Sequence, residues 1–364
     1  MLLIREMTLC TVKKKRMLSN RLKSDGKPTY VLNALQQKMK LEVEQKIADE
    51  VYQFETVDCV VCGDSEATKI AEKDRYGLFF PVVSCKSCGL VRTNPRMNQA
   101  SYNEFYNTEY RKLYVGQESP TGDFFKLQMQ KGKLIYDYLE EKGAFHKAKK
   151  DMFVLEVGCG AGGILHFFRE KGCTVKGIDL GEEYINYGKE EYDLDLEVGF
   201  LSDLNLDRKP DLVIYSHIVE HILEPDAEFI ALNKAINRDT IVYVEVPGIK
   251  HLYPNYDMNL LRYLQNAHTF HFSLTTLQNL MEKCGYEMLA GTEYIRSIFR
   301  PTDQKNDQFK NDYNAVITYL EKMEKKKDYF ALTPFSLKKR LESIVVPVLD
   351  FLRIKKLIKS LLGK

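Results

Sequence analysis

The chain has 364 residues, of which 44% are hydrophobic, and a formal net charge of +2. This length favours two or three domains, and this composition supports a sizeable hydrophobic core. The near-zero charge argues against a chain-wide nucleic-acid surface. No apolar run is long enough to span a membrane, so we expect a cytoplasmic protein whose eight cysteines stay reduced.

Both end segments of the chain are basic. Residues 1–40 hold ten Lys or Arg and two acids, and residues 332–364 hold eight and two. We predict a basic arm and a helix over residues 1–56, and a basic helical extension over residues 301–364. The second segment mixes Leu and Ile with Lys and Arg, which suits either packing on the protein or a peripheral contact with an anionic membrane. Neither segment has the aromatic pattern of a specific nucleic-acid site.

Four cysteines form two pairs in the next part of the chain. Cys59, Cys62, Cys85 and Cys88 read C-x2-C-x22-C-x2-C. Two thiolates on one tight turn face the same Zn²⁺, and two such turns complete a tetrahedron. We therefore predict a small zinc ribbon over residues 57–95 with a structural Zn²⁺. The alternative is four unrelated buried thiols.

The rest of the chain favours an α/β fold. Residues 96–150 are predicted to be a helical connector. From residue 151 to 300, short β-rich runs alternate with helical runs, and "HIVEHILEPDAEFIALNKAIN" is predicted to be one helix. This alternation is typical of a doubly wound, mostly parallel sheet with helices on both faces. The runs "YEMLAG" and "YIRSIFR" are predicted to close the sheet as an antiparallel pair.

A glycine-rich stretch, "VLEVGCGAGG", follows the first predicted strand of this region. In a doubly wound sheet, ligands bind where the first strand turns into the first helix. Gly158, Gly160 and Gly163 match G-x-G-x-x-G, the dinucleotide fingerprint, which is weak evidence alone. An ordinary turn does not need four glycines, so we expect a bound ligand here.

The same stretch matches an acidic-x-G-x-G-x-G pattern. Glu156 stands two residues before Gly158, and Gly160 and Gly162 complete the pattern. A negative charge at this place suits the α-ammonium of S-adenosyl-L-methionine and would repel a pyrophosphate. Asp179 ends the next predicted strand, where its carboxylate can accept hydrogen bonds from ribose hydroxyls. Both NAD and S-adenosylmethionine carry a ribose, so Asp179 does not distinguish between them.

The order of these motifs resembles the class I S-adenosylmethionine-dependent methyltransferases. The matching pieces are "VLEVGCGAGG", "VKGIDLGEEYINYGK", "PDLVIYSHIVEHILEP", "IVYVEVPG" and "AHTFHFSLTTLQNLMEKCGYE". The resemblance covers about 150 residues and implies a Rossmann-like class I methyltransferase fold over residues 151–300. It also implies S-adenosylmethionine as the cofactor.

One position departs from the family pattern. Many relatives have an Asp on the adenine amino group after the third strand, where this chain has Phe200. The resemblance therefore implies that adenine contacts backbone amides near Leu201 and Ser202. Alternatively, Asp203 takes the place of the family Asp that binds the adenine amino group.

The stretches "CKSCGLVRTNP" and "FYNTEYRKLY" resemble the N-terminal ribbon of methyltransferases from surface-polysaccharide and deoxysugar pathways. In that group the ribbon and the following helices form the acceptor side of the active site. The resemblance implies a small-molecule acceptor, a sugar, glycan or nucleotide-linked sugar. We expect O-methylation, although such relatives also methylate carbon, and Tyr253 and Tyr256 are placed to orient a polyol.

The histidines supply candidates for a base. Methyl transfer to a hydroxyl needs alignment of the reactants and a proton acceptor. His268 aligns with the family histidine that precedes Phe-Ser, here Phe272 and Ser273, and His271 is its competitor. The alternative is that both histidines only line the pocket.

His217, Glu220 and His221 read H-x-x-E-H, and helical spacing would place them on one face. The pattern alone is that of a metalloprotease, which we discount inside a nucleotide-type sheet. The remaining interpretations are a divalent cation beside the active site, or packing with His217 lining the cofactor pocket. We favour the second.

Two rival functions remain at this stage. The first is an NAD(P)-dependent sugar oxidoreductase or epimerase, in which Glu156 would be out of place. The second is a non-catalytic, zinc-bearing interaction protein with a vestigial methyltransferase domain, against which the intact glycine loop argues.

Overall fold

The computed structural model describes residues 17–116, 122–204, 206–253 and 255–338. The predicted basic arm over residues 1–16 and most of the basic C-terminal helix, residues 339–364, lie outside the described residues. Within these residues, no helix is long and apolar enough to cross a membrane.

The helices lie mainly in the N-terminal connector, between the strands of the large sheet, and after it. In chain order they are α1 Ala34–Ala48, α2 Gln99–Phe105, α3 Arg111–Val115, α4 Gly122–Glu141, α5 Gly163–Glu170, α6 Glu182–Tyr192, α7 Pro225–Ala235, α8 Leu260–Tyr263, α9 Leu274–Lys283 and α10 Tyr313–Lys326.

The strands form three sheets. They are β1 Phe54–Glu55, β2 Ala67–Lys73, β3 Phe79–Cys85, β4 Val91–Thr93, β5 Arg96–Met97, β6 Phe153–Val157, β7 Thr174–Asp179, β8 Leu196–Val198, β9 Leu212–Ser216, β10 Ile241–Glu245, β11 Phe270–His271, β12 Tyr286–Gly291 and β13 Arg296–Pro301.

The largest sheet has seven strands in the order β12-β13-β10-β9-β6-β7-β8. The pairs from β10 to β8 are parallel, whereas β13 pairs antiparallel with both β10 and β12. The predicted doubly wound, mostly parallel sheet with a closing antiparallel pair is therefore confirmed. The strand order reverses at β6, which makes its carboxyl end the place where this class of sheet binds ligands.

Both faces of this sheet are covered. Val154, Ile214 and Tyr243 pack in a buried cluster with residues of α4, α5 and α6. The alternate residues Leu155 and Val213 pack on the other face with residues of α7 and α9. Burial on both faces explains why the central strands are nearly continuous apolar runs rather than alternating ones. The acid Glu156 interrupts such a run.

The predicted ribbon shares a sheet with a distant segment. Strands β2, β3 and β4 form an antiparallel sheet, and β11 adds to its edge in the order β11-β4-β3-β2. Phe270 pairs with Arg92 and His271 with Val91. The segment that bears the histidine pair is therefore held by backbone pairing against residues 57–95. The division into five domains at residues 56, 95, 150 and 300 stays a prediction.

The predicted helix over residues 217–237 is wrong in its first part. His217 has a left-handed backbone with φ of 59°, and Val219–His221 form one 3-10 turn. Helix α7 begins only at Pro225. Proline lacks an N–H and is tolerated only in the first turn of a helix, so Pro225 starts this helix and does not sit within it.

Helix α4 packs closely on α5. A Cβ atom on Gly132 would lie 3.0 Å from the Ile164 carbonyl oxygen and 3.0 Å from the Phe167 Cβ. A small residue is therefore required where the two helices touch. This contact fixes α4 over the glycine-rich loop.

The close contact predicts that Gly132→Val lowers the free energy of unfolding by about 1–3 kcal/mol, because two methyl groups would overlap the backbone of α5. Urea denaturation followed by circular dichroism measures this loss. The control is Lys133→Val at the next, exposed position, where valine costs a few tenths of a kcal/mol in helix propensity, whereas propensity alone would make Gly132→Val slightly favourable. Equal losses in both variants would contradict the packing argument.

Candidate active site

The glycine-rich loop joins β6 to α5 at the carboxyl edge of the large sheet. Gly158, Gly160 and Gly162 have φ values of 73°, 54° and 78°. Side chains rarely adopt these conformations, and a Cβ on Gly158 would lie 2.1 Å from Ile218 Cδ1. The glycines therefore let the backbone bend tightly under the cleft.

Asp179, the last residue of β7, lies beside this loop. Its carboxylate accepts hydrogen bonds from the backbone N–H of Gly160 at 2.9 Å and of Gly181 at 2.7 Å. Arg111 Nη2 lies 3.2 Å from Asp179 Oδ1, and its guanidinium stacks 3.9 Å above the Tyr184 ring. Backbone amides thus orient the acid at the end of β7, and its contact with ribose stays a prediction.

Glu156 is a buried acid with one unpaired oxygen. It is 1% exposed, and its Oε2 atom has no hydrogen bond to any described residue. Burial raises the pKa of Glu156 well above its usual range, although Lys131 opposes the shift. A buried carboxyl group with a free oxygen is costly unless a cation or donor meets it.

The segment after β8 lies beside Asp179. Gly199 N–H donates to the Asp179 carbonyl at 3.1 Å. Leu201 is buried in the following 3-10 turn, whereas Phe200 is 52% exposed. Asp203 already accepts the Phe200 N–H at 2.8 Å, so its carboxylate caps this turn.

A second buried acid, Glu220, lies among three histidines. Its Oε1 atom is 3.5 Å from His217 Nδ1, 3.8 Å from His268 Nε2 and 4.0 Å from His221 Nε2. Neither carboxylate oxygen has a hydrogen bond within the described part of the chain. The H-x-x-E-H residues are thus close together, although not through the predicted helix.

Glu245 is a third buried acid, at the end of β10. Tyr243 donates its hydroxyl to Glu245 at 2.9 Å, and His217 Nε2 and Arg296 Nε each lie 3.7 Å away. Burial opposes ionisation of Glu245, but His217 and Lys131 hold its pKa at about 2. Burial and Lys131 would lower the pKa of His217, yet Glu220 and Glu245 raise it. His217 is therefore held between two carboxylates.

The two candidate bases differ in surroundings. Burial and then His221 lower the pKa of His268 well below its usual range, so this imidazole is neutral. His271 is fully buried, with ring contacts to Phe80 and Tyr263, and burial lowers its pKa to about 3. Of the two histidines, His268 is the one next to Glu220, whereas His271 is packed in the core.

A ladder of four tyrosines lines the other side of this cluster. Tyr106 and Tyr110 stack at 4.5 Å, Tyr110 and Tyr114 at 5.7 Å, and Tyr102 lies 6.0 Å from Tyr106. The rings of Tyr106 and Tyr110 also contact His221 at 5.9 and 5.6 Å. A π-helix over Tyr106–Tyr110 brings the rings into line. Such helices are rare and frequently occur at functional sites.

The two tyrosines predicted to orient a polyol are separated. Tyr256 packs edge-on against Tyr263 at 5.1 Å, near the histidine cluster. Tyr253 instead contacts Phe330 and Phe335 of the C-terminal extension. Tyr256 is therefore the one that remains a candidate for the acceptor side.

The four cysteines lie together at the ends of β3 and its neighbouring turns. Cys59 and Cys88 Sγ atoms are 3.5 Å apart, those of Cys62 and Cys85 are 3.4 Å apart, and all four lie within 4.8 Å. A Zn–S bond of about 2.3 Å in a regular tetrahedron separates sulfurs by about 3.8 Å. The arrangement thus fits a tetrahedral zinc ion.

A second group has spacing that a metal could use. One ligand atom each from Glu220, His221 and His268 lies within 4.8 Å of the others. The Gln265 side chain contacts His268 at Nε2, which leaves Nδ1 as the ring nitrogen without a hydrogen bond to any described residue.

The sequence patterns missed several residues of this cleft. Glu245 and Arg111 lie within the stretches "IVYVEVPG" and "FYNTEYRKLY" but were not singled out there, and Lys131 lies on α4 outside every quoted motif. Tyrosines four residues apart in "SYNEFYNTEYRKLY" were a signal for the aromatic ladder.

Comparison with known proteins supports one enzyme class. A family model described as a methyltransferase domain matches residues 130–290. The match begins inside the predicted connector and includes the glycine-rich loop, Glu220 and His268. No curated protein sequence matches the chain.

Several solved structures are similar to part of the chain. Magnesium protoporphyrin IX methyltransferase from Synechocystis PCC 6803, solved with bound SAH, is 14% identical over 56% of this chain and 98% of its own, with a TM-score of 0.40. An S-adenosylmethionine-dependent methyltransferase from Clostridium acetobutylicum is 13% identical over 55% and 99%, with a TM-score of 0.38. DesVI from Streptomyces venezuelae is 15% identical over 51% and 99%, with a TM-score of 0.37.

The domain match spans the loop whose glycines, buried acid and following aspartate were derived above from sequence and geometry. The domain match, together with the geometry of this loop, supports an S-adenosylmethionine-dependent methyltransferase as the catalytic class.

Proposed function

We propose that this enzyme transfers a methyl group to a hydroxyl of a small polyol, a sugar, glycan or nucleotide-linked sugar, with His268 as the base. The observation that carries this proposal is the buried pair of His268 and Glu220, 3.8 Å apart, beside the tyrosine ladder. A neutral imidazole next to a carboxylate can accept a proton and have its positive charge stabilised.

The cofactor binds at the carboxyl edge of β6. Gly158, Gly160 and Gly162 let its amino-acid part approach the backbone, and Glu156 receives the α-ammonium. Asp179 binds the ribose hydroxyls, for which Arg111 must give up part of its contact. Leu201 and Ser202 lie beside the adenine, and His217 lines the pocket. The support for these roles is the position of each residue around one loop.

The chain's own residues arrange the reaction. S-adenosylmethionine, when bound, supplies a methyl group on a sulfonium whose departure as a neutral thioether needs no acid. His268 accepts the proton of the attacking hydroxyl. Glu220 orients the imidazole and stabilises the imidazolium. The buried walls exclude water, which strengthens these electrostatic interactions.

The tyrosine ladder supports a ring-shaped polar acceptor. Tyrosine presents a flat apolar face together with a hydroxyl, which suits a sugar ring with its hydroxyl groups. Tyr114, at the outer end of the ladder, is 50% exposed, whereas Tyr102 at its inner end is buried. The ladder therefore leads from the surface to the histidine cluster. The resemblance of the ribbon to sugar-pathway enzymes points the same way.

Zinc at the four cysteines would have a structural role. The Cys88 carbonyl accepts the Asp312 N–H at 3.1 Å, and β4 of the ribbon pairs with β11. Holding the two cysteine turns together would thus hold β11, and with it His268, in place. Residues 57–95 and 96–150 would then form the acceptor side.

The rival functions are less well supported. The match to a methyltransferase domain gives an NAD(P)-dependent oxidoreductase no support, and Glu156 in its ionised form would repel a pyrophosphate. The intact acids and glycines argue against a vestigial domain. A cytoplasmic location and a membrane contact of the C-terminal helix stay predictions.

The cysteine geometry predicts about one zinc ion per chain, measured by elemental analysis of protein purified without chelators. Cys85→Ser should lose the zinc and lower the melting temperature. Cys173→Ser, a buried thiol away from the cluster, is the control and should keep the zinc. A second tightly bound divalent ion would indicate a further metal site at Glu220, His221 and His268. Protein purified without any zinc would contradict the predicted zinc ribbon.

His268→Gln should lower the acceptor-dependent formation of S-adenosylhomocysteine by about 10²–10⁴-fold, because the proton acceptor is lost. The affinity for S-adenosylmethionine should not change. Nucleotide sugars are the first acceptors to screen with wild-type protein. His251→Gln, at a partly exposed position outside the cluster, is the control. A variant of His268 with full activity would exclude this base.

Glu156 predicts a pH dependence of cofactor binding. Burial raises its pKa well above the usual range in the free protein, and an ammonium group beside it would lower this pKa. Binding should therefore release a proton, and affinity should rise with pH until the pKa of the free protein is passed. Calorimetry in buffers of different ionisation enthalpy counts the protons. Glu156→Gln should bind S-adenosylmethionine more weakly than wild type and release no proton on binding. A variant that releases as many protons as wild type would contradict the assignment.

A further inference from the structure

The C-terminal extension exposes apolar side chains in its last described part. Lys327–Leu332 form a 3-10 helix after α10, and side chains three residues apart in such a helix lie on the same face. Tyr329 and Leu332 are therefore in line, and they are 67% and 71% exposed. Leu337 follows them and is 53% exposed. Large apolar side chains grouped on a surface mark a contact with another molecule.

The opposite side of this turn holds it on the protein. Phe330 is buried, and its ring lies 6.1 Å from the Tyr253 ring and 6.3 Å from the Phe335 ring. The rings of Phe335 and Tyr253 are also 6.1 Å apart. Because Phe330 faces the protein, Tyr329 and Leu332 face away from it.

Helix α10 fixes the base of the extension. Leu320 and Met323 are buried in a cluster that also contains Leu252. Near the end of the helix, Glu324 forms an ion pair with Arg21. The exposed apolar side chains thus follow a helix that is attached at several points, which gives them a defined place on the surface.

Positive charge borders these apolar side chains. Lys325 and Lys326 are exposed at the end of α10. The acids nearby, Glu324 and Asp328, each form an ion pair within the chain. In sequence, residues 339–364 add seven Lys or Arg and two acids. The surface is therefore both apolar and positively charged.

A membrane with anionic headgroups matches both properties. Leucine and tyrosine side chains are stabilised at the boundary between headgroups and acyl chains, and lysines are attracted by the negative surface. A nucleic acid would match the lysines but would leave the leucines in water. A second copy of the chain would bring the same lysines together in a symmetric interface, and like charges repel.

We propose that Tyr329, Leu332 and Leu337, with Lys325 and Lys326 beside them, dock the enzyme on an anionic phospholipid surface. This contact goes beyond methyl transfer and does not depend on the identity of the methyl acceptor. The apolar side chains enter the boundary region, and the lysines remain at the level of the headgroups.

The test is co-sedimentation of the full chain with vesicles. One set contains phosphatidylcholine alone, and the other contains phosphatidylcholine mixed with phosphatidylglycerol. Wild type should bind the mixed vesicles, bind the neutral ones more weakly, and be released by high salt. The double variant Tyr329→Ser and Leu332→Ser should lose about 10-fold or more in affinity for the mixed vesicles, because two apolar side chains no longer leave water.

Two further double variants complete the design. Val31→Ser with Leu41→Ser removes apolar side chains that are 100% and 64% exposed elsewhere, and it should bind vesicles as wild type does. Lys325→Gln with Lys326→Gln should weaken binding to the mixed vesicles and leave binding to the neutral ones unchanged. All three double variants should keep the circular dichroism spectrum and the S-adenosylmethionine affinity of wild type.

Absence of wild-type binding to the mixed vesicles would overturn the proposal. Equal binding by wild type and by the Tyr329 and Leu332 double variant would also overturn it, because another part of the chain would then make the contact. Analytical ultracentrifugation adds a third check. A wild-type dimer that this double variant separates into monomers would assign the surface to a second copy of the chain and so reject the membrane.

Discussion

Three carboxylates buried at one edge of a parallel sheet are the constraint on which the rest of the site depends. Glu156 and Glu245 occupy the ends of β6 and β10, and Glu220 follows β9 between them. In a poorly hydrated cleft, such groups repel one another unless cations meet them. A cofactor that carries a sulfonium and an ammonium fits this field, whereas a pyrophosphate does not. The same field explains why His217 is held between two acids.

The second wall of the cleft comes from another part of the chain. The ribbon reaches the site because β11 adds to its sheet through backbone hydrogen bonds, which places His268 beside Glu220. The tyrosine ladder follows the ribbon in sequence and packs on His221. The residues proposed to form the acceptor side are thus tied to the segment that carries the four clustered cysteines. The C-terminal extension adds to this support through the contact between Asp312 and Cys88.

Much of the sheet could be predicted from sequence, because its strands are buried on both faces and alternate with amphipathic helices. The glycine-rich loop, Asp179 and the two cysteine pairs were also recognisable, since each depends on local spacing. The first part of the helix predicted over residues 217–237 was wrong because Pro225 and the left-handed His217 outweigh helical periodicity. The pairing of β11 with β4 and the position of Lys131 depend on contacts between distant segments, which no local pattern records. The separation of His268 from His271 is of the same kind, since His268 lies beside Glu220 whereas His271, in β11, packs against Phe80 and Tyr263.

A crystal structure of the full chain with S-adenosylhomocysteine tests the central claim most directly. The account predicts that the amino-acid end lies beside Glu156 and the ribose on Asp179. It also predicts that the sulfur faces His268 and Glu220, with room for a hydroxyl group between them. A sulfur that faces away from the histidine cluster, or an adenosine bound outside the glycine-rich loop, would contradict it.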